Sequence, residues 1–248
     1  MKVAVVTPTI GSEYLEKCID SVDKQTHEDL THYIFSDGVE YEKTIRKKTK
    51  GATKIKHIFL EENVGKGWYG HRVYAACSFL VNADIICYLD EDNFLESNHV
   101  ETVIKKIEEG NDWVYSLRNI VNKDGEFICE DNCESLGNWP VYFDSNMHHI
   151  DTSCFAIRRD IAVRIGHSWY GQWGADRQFF AALKKHFKKY DCTKKYTTNY
   201  RLDGNENSVN EEFFIEGNKA NFVKYNGLFP WTSDKQFISV GPGISIIA

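Results

Sequence analysis

Three consecutive acids, Asp90, Glu91 and Asp92, follow the apolar run Ile85-Ile86-Cys87-Tyr88-Leu89 and precede Asn93. Like charges crowded at the end of a buried strand repel one another and lose hydration, so they call for a neutralising partner. Carboxylate oxygens suit a hard divalent cation, Mg²⁺ or Mn²⁺. Strand alternation sends Asp90 and Asp92 to one side and Glu91 to the other. An acidic loop without a ligand is the plain alternative. A fourth acid, Asp176, stands in Trp173-Gly174-Ala175-Asp176-Arg177, which opens a strongly apolar helical pattern. The helix dipole favours an acid in the first turn whatever its function. As a functional group it could take the proton of a hydroxyl while the bond to a leaving group breaks.

Other polar groups also sit beside apolar runs. Thr7-Pro8-Thr9 closes the first β-branched run, and Ser36-Asp37-Gly38 closes the second. Gly65-Lys66-Gly67-Trp68-Tyr69-Gly70 spells the dinucleotide fingerprint, but it follows the third strand instead of the first. Its two bulky aromatics would crowd a pyrophosphate, so it reads better as a flexible loop bringing His71 and Arg72 near a ligand. Arg72 could then face a phosphate or a carboxylate such as Asp37. His148 and His149 could serve a metal or a sugar, although a histidine pair near a strand more often packs. The lysine pairs 184–185, 188–189 and 194–195 read as a solvated face.

These residues need a scaffold, and the pattern supplies one. Val3–Val6, Tyr33–Phe35, Ile58–Leu60 and Ile85–Leu89 read as strands. Between them, Leu15, Cys18, Ile19 and Val22 form one helix face, and Tyr69, Val73, Ala76, Cys77 and Leu80 form another. Val100, Val103, Ile104 and Ile107 form a third, with Asn98 as cap and Gly110 past its end. Such alternation predicts βαβ units and an α/β fold with a mixed, mainly parallel central sheet flanked by helices. Ligands of such sheets sit at the strands' carboxyl ends, where all three polar tips fall. Further on, Trp113–Val121 and Glu126–Cys129 predict a hairpin turning at Lys123-Asp124-Gly125. Ser153–Ile157 predicts another strand, and Asp176, Phe179, Phe180, Leu183 and Phe187 share a helix face.

The chain of 248 residues is 42% hydrophobic and 27% charged, enough for a sizeable core in one large domain. No apolar stretch approaches the ~20 residues of a membrane span. The net charge of −6 argues against a dedicated nucleic-acid binder. Seven scattered cysteines, an opening that reads as a strand instead of a leader, and the absence of an Asn-x-Ser/Thr site point to a reducing, cytoplasmic setting. Cys129 and Cys133 read as free thiols, with a disulfide as the alternative.

In order, the chain carries Thr7-Pro8-Thr9, Ser36-Asp37-Gly38, Asn63-Val64-Gly65, His71-Arg72 and Tyr88-Leu89-Asp90-Glu91-Asp92-Asn93. Cys154–Asp160 with its basic pair, Ile165-Gly166 and Asp176 follow. This ordered set resembles the family 2 glycosyltransferases of GT-A fold over about residues 1–190. The resemblance implies a single domain over 1–248, with a nucleotide-sugar half at about 1–97 and an acceptor half with a C-terminal extension at about 98–248. It implies that Thr7, Pro8, Thr9, Asp37, Arg72, Asp90 and Glu91 bind the nucleotide sugar and that Asp90 and Asp92 hold Mn²⁺ or Mg²⁺. Asp176 would be the base of an inverting transfer. The donor would be a nucleoside-diphosphate sugar, a UDP-sugar foremost. The acceptor would be a hydroxyl of a glycan or small molecule, with nucleic acid left open. Two departures stand out: Ser36 replaces the acid that usually precedes the second motif's Asp, and Ala175 replaces the Glu that usually precedes the base. The Gln-x-x-Arg-Trp motif of processive synthases is absent, which implies single additions. A sugar nucleotidyltransferase, a nicotinamide-dependent oxidoreductase and a non-catalytic nucleotide-sugar-binding protein are the rival classes.

Overall fold

The computed structural model describes residues 1–202 and 209–233, together with the backbone of 236–240 and 243–247. The rest of the C-terminal extension lies outside the described residues.

The four strands of the first half, and two of the helices between them, fall where periodicity predicts them. This half runs β1 (Val3–Thr9), α1 (Leu15–Asp23), β2 (Leu30–Asp37), α2 (Glu42–Lys48), β3 (Ile55–Leu60), α3 (His71–Leu80) and β4 (Ile85–Tyr88). β1 opens with Val3, Ala4, Val5 and Val6, all fully buried, as a parallel strand covered on both faces requires. α1 buries Leu15, Cys18, Ile19 and Val22. The lysine-rich stretch after β2 carries no clear period, yet α2 forms there around a single buried residue, Ile45, which joins Leu15, Ile19 and Ile34.

The parallel strands lie in the order β3-β2-β1-β4. The chain steps from β1 outward to β3, then returns to β4 on the other side of β1. That reversal opens a crevice at the carboxyl ends of β1 and β4. Register aligns its rim: Thr9 lies beside Ser36, Asp37 beside Leu60, and Val6 beside Tyr88.

The second half contributes β5 (Phe94–Leu95), α4 (His99–Glu108), β6 (Trp113–Val121), β7 (Phe127–Glu130), β8 (Phe155–Arg158), α5 (Arg159–Ile165), α6 (Ala175–His186), β9 (Tyr190–Arg201) and α7 (Glu211–Lys224). A separate antiparallel pair, β10 (Gln236–Val240) and β11 (Gly243–Ile247), closes it. β8 runs antiparallel between β4 and β6, β9 is parallel to β6, and β5 is antiparallel to β9. The result is one mixed nine-stranded sheet flanked by helices.

Several sequence expectations are corrected. The buried face of α3 is His71, Val73, Tyr74, Cys77 and Ser78, whereas Ala76 and Leu80 face solvent and Tyr69 precedes the helix. The docking partners decide this: Tyr74 packs on Tyr88 and Trp169. Part of the lysine face is strand: β9 includes Lys194 and Lys195, directly after the buried Cys192 and Thr193. Asn98 occupies the cap position of α4 without a side-chain capping bond, while Gly110 ends the helix at φ +101°. The basic pair fastens helices: Arg158 donates to the carbonyls of Ile107 and Asn111, and Arg159 to that of Ser78. All seven cysteines are free thiols, Cys129 and Cys133 included.

An aromatic block holds the site's helices to the sheet. Trp169 stacks on Phe179 of α6 at 4.1 Å and meets Tyr88 at 5.2 Å and Tyr74 at 5.4 Å between centroids. No helix among the described residues is long and apolar enough to cross a membrane.

Candidate functional site

Beyond Tyr88 the chain turns, with Asn93 N–H donating to the Asp90 carbonyl at 3.1 Å, so strand alternation no longer sorts the three acids. Asp90 is held by two hydroxyls: Tyr74 donates to Oδ1 at 2.8 Å and Ser153 to Oδ2 at 3.3 Å. Ser153 Oγ in turn accepts from Asp90 N–H and from Asn93 Nδ2. Glu91 points back at the loop after β1, where it accepts from Thr9 Oγ1 and from the N–H groups of Ile10 and Ser12. Its carboxylate thereby shapes that loop. The Asp92 carboxylate accepts no hydrogen bond from another described residue, and its main-chain carbonyl accepts from Arg201 Nε at 2.8 Å.

Burial, then repulsion from Asp92 and Asp151, holds Asp90 well above the usual carboxylate range. Burial, Glu91 and Asp151 push Asp92 up to about 7. The charge of Arg201 offsets this only in part at Asp92, and its Nε and Nη1 donate to the carbonyls of Asp92, Asn122 and Lys123, not to either carboxylate. Among the described residues no group of three or more His, Cys, Asp or Glu is placed to enclose a metal. One or two carboxylates, completed by substrate phosphates and water, is the mode in which Mg²⁺ is usually held, and the residues present fit that mode.

The neighbouring rim is built by β2 and the loop before α3. Asp37 accepts from the N–H groups of Val64 and Gly65, each at 2.8 Å. Burial raises its pKa despite those two bonds. A side chain at Gly65 would collide with Asp37 Oδ2, and Gly67 and Gly70 turn the loop at φ +73° and +72°. The glycines of the apparent dinucleotide fingerprint are thus accounted for by Asp37 and by the turn. Arg72 is not paired with Asp37. It donates to the Val64 carbonyl at 3.3 Å and lies over Trp68 at 4.0 Å, while its buried Nε has no partner. Pro8 packs against Gly70. Thr7 is fully buried with its hydroxyl 2.9 Å from His32 Nε2, so its side chain serves the core beneath the rim.

Asp176 sits in the first turn of α6 with Oδ1 accepting from Arg177 N–H at 2.7 Å. Its Oδ2 lies 3.7 Å from His149 Nδ1, a buried nitrogen without a hydrogen-bond partner. A cleft of about 180 Å³ opens on this pair, lined by Tyr69, His71, Glu134, Asp151, Trp173 and Arg177 among others. None of the lysines at 184–195 lines it. Asp151 connects cleft and acidic tip: it senses the charge of Asp176, and its own charge reaches Asp90 and Asp92.

Arg118 of β6, fully buried, forms the wall of this cleft. Its Nε meets Asp131 and its Nη1 meets Asp151, each at 2.8 Å, and Nη2 meets Glu134. Tyr200 covers its face at 4.2 Å. Asp131 also accepts N–H bonds from Cys133, Glu134 and Ser135, which with Arg118 outweigh burial and hold its pKa below normal. Asp151 accepts from Ser153 N–H, so the arginine cluster positions the serine that holds Asp90. Sequence reading does not single out Arg118, Tyr74 or Ser153. A signal for Arg118 was present: it is the one charge in the run Trp113–Val121, and a charge in a fully buried strand must be paired.

A reversed parallel sheet, with an acidic tip at its crevice and an acid-bearing helix start beside it, is a fold of the GT-A type. The model of glycosyl transferase family 2 matches residues 4–166, and the chain belongs to that family. It is therefore a glycosyltransferase by family, which sets aside the nucleotidyltransferase and oxidoreductase classes. The fold is similar to that of S. aureus TarS 1-349 in complex with UDP, at a TM-score of 0.63 and 15% identity over 90% of this chain and 65% of that one. The TarS complex with UDP-GlcNAc gives 0.63 and 14% over 87% and 64%. This chain thus spans under two thirds of that protein. An uncharacterized protein of Haemophilus influenzae is 30% identical over 35% of this chain and 70% of its own length.

Proposed function

We propose that this protein transfers one sugar from a UDP-sugar to an acceptor hydroxyl with inversion, assisted by Mg²⁺ or Mn²⁺. The observation that carries the reading is the electrostatic one: Asp90 and Asp92 stand together at the sheet's crevice, and burial and neighbouring carboxylates raise both pKa values although the Arg201 charge opposes the rise at Asp92. Family membership and the fold shared with a UDP-binding protein support it.

Asp92, with Asp90 beside it, would hold the ion. When bound, a divalent ion stabilises a departing diphosphate as a Lewis acid. The remaining work belongs to the chain's residues. Tyr74 and Ser153 keep the Asp90 carboxylate in one orientation. Glu91 fixes the loop after β1, and Asp37 fixes the loop that carries Arg72, so both walls of the nucleotide crevice are preorganised. Asp176 Oδ2 takes the acceptor's proton as the sugar–phosphate bond breaks. Its other oxygen is tied to Arg177 N–H, which orients the free one toward the cleft.

Calorimetric titration with UDP, with and without Mn²⁺, tests the donor reading. Tight binding that requires the ion is expected, and Asp92→Ala should abolish the ion's contribution. Retained Mn²⁺-stimulated binding in that variant would remove Asp92 from the ligand set. A product whose anomeric configuration, read by NMR, matches that of the donor would overturn inversion. Tight donor binding with neither transfer nor donor hydrolysis would leave a non-catalytic binding protein.

A further inference from the structure

We infer that the cleft beside Asp176 receives an uncharged saccharide, its ring lying on Trp173 and its hydroxyls meeting Asp176 and His149. The inference rests on the transferase reading and names its acceptor class.

Three observations converge. Trp173 lines the cleft three residues before Asp176 and is 60% exposed, and Tyr69 on the same lining is 48% exposed. Large aromatic surfaces left open to water inside a polar cleft suit a ligand with one apolar face and polar edges. A pyranose ring has that form: C–H groups on its face and hydroxyls at its rim. Secondly, His149 is 5% exposed, and its Nδ1 faces the cleft acid without a hydrogen-bond partner. A buried polar nitrogen left unsatisfied is costly, and a ligand hydroxyl can donate to it or accept from it.

Charge decides the class. The lining carboxylates are Glu134, Asp151 and Asp176, against Arg118 and Arg177. Arg118 is already shared by Asp131, Asp151 and Glu134, so it has no charge to spare for an anion. Arg177 lies 4.9 Å from the Trp173 ring. Even with Asp151 protonated, Asp131, Glu134 and Asp176 outnumber the two arginines. Phosphate or carboxylate on the acceptor would meet net repulsion, whereas neutral hydroxyls find acceptors for their protons. The volume of about 180 Å³ lies below the ~300–1,000 Å³ of drug-sized sites, which fits one sugar ring at the reacting end.

Saturation-transfer NMR on the protein saturated with UDP and Mg²⁺ tests this without turnover. The probes are methyl glycosides of glucose, galactose and N-acetylglucosamine, with methyl glucuronide, glucose 6-phosphate and glucosamine as charged counterparts. At least one neutral glycoside should bind, and more tightly than every charged probe. Trp173→Ala should weaken that binding about tenfold or more, the size of a lost aromatic anchor, while Trp173→Phe keeps most of it. The UDP affinity should stay unchanged in both. Should the alanine variant fail to fold by circular dichroism, Trp173→Leu replaces it. Preference for an anionic or amino probe overturns the inference, as does indifference to Trp173 or absence of any glycoside binding while UDP binds. Failure of UDP itself to bind instead sinks the donor reading.

Discussion

The two halves of the sheet build their polar sites by different means. In the half from β1 to β4, each site residue follows its own strand directly: Thr9 after β1's valines, Asp37 at the end of β2, Asp90 just past β4. A short apolar run aims the residue, and parallel register gathers the tips. In the half from β6 to β9, the site is centred on Arg118. Its partners Asp131, Glu134 and Asp151 arrive from loops 13, 16 and 33 residues away. Here the charges hold the loops, and the loops hold Ser153 and His149. Binding groups that sit on strands tolerate local change, whereas a site assembled around one buried ion depends on that ion.

Four measurements press on that contrast. Asp176→Asn should lower turnover by roughly 10²–10⁴-fold, the worth of a general base, with UDP affinity in calorimetry nearly unchanged. Loss of UDP binding would move Asp176 to the donor side. Arg118→Met strands three buried carboxylates and should cost about 3–5 kcal/mol in urea unfolding, the scale of a broken buried ion pair. A loss under 1 kcal/mol would show that the second half does not hang on this residue. Gly65→Ala drives a methyl group into Asp37 and should cost about 1–3 kcal/mol while weakening UDP binding, since overpacking acts locally. Unchanged UDP affinity there would separate the loop from the nucleotide.

The smallest effect concerns pH. Burial lowers His32 to about 3, with His57 adding to it, and lowers His99 to about 4. Both titrate near 6.5 when unfolded, so below that pH the unfolded chain binds more protons and stability falls as pH falls. Each should remove about 1 kcal/mol between pH 7 and 5.5. His32→Gln and His99→Gln should each flatten the stability–pH curve by that share. A curve unchanged in His32→Gln alone would mean that the first half is open enough to hydrate its histidine.

Sequence and structure agree most closely where one run of residues carries its own instruction. β1, α1, β4, α4 and β6 fall where apolar spacing places them, because each buries its stripe or face almost regardless of its neighbours. α3 shows the limit. Its helical pattern was legible, but the face was set by Trp169 and Tyr88, and only that rotation brings Tyr74 to Asp90. α2 and β9 were illegible because their polar sequences acquire a buried side only from what they pack against, and α7 because its apolar residues define no single face, Phe214 being buried while Phe222 and Val223 are exposed. The acidic tip was legible as a cluster of like charge. Its division of labour was not, since the turn at Asp90–Asn93 broke the alternation that would have sorted it.

By itself, the order of residues determined the α/β scaffold, the three polar strand ends and Asp176 at a helix start, since hydrophobic period and helix capping act over a few neighbouring residues. Tertiary structure alone decided that Glu91 serves a loop, that Arg72 lies on Trp68 and is not paired with Asp37, and that His149 faces Asp176. Those outcomes depend on which distant groups share one desolvated space, where charge and hydrogen bonding act between elements that local pattern treats as strangers.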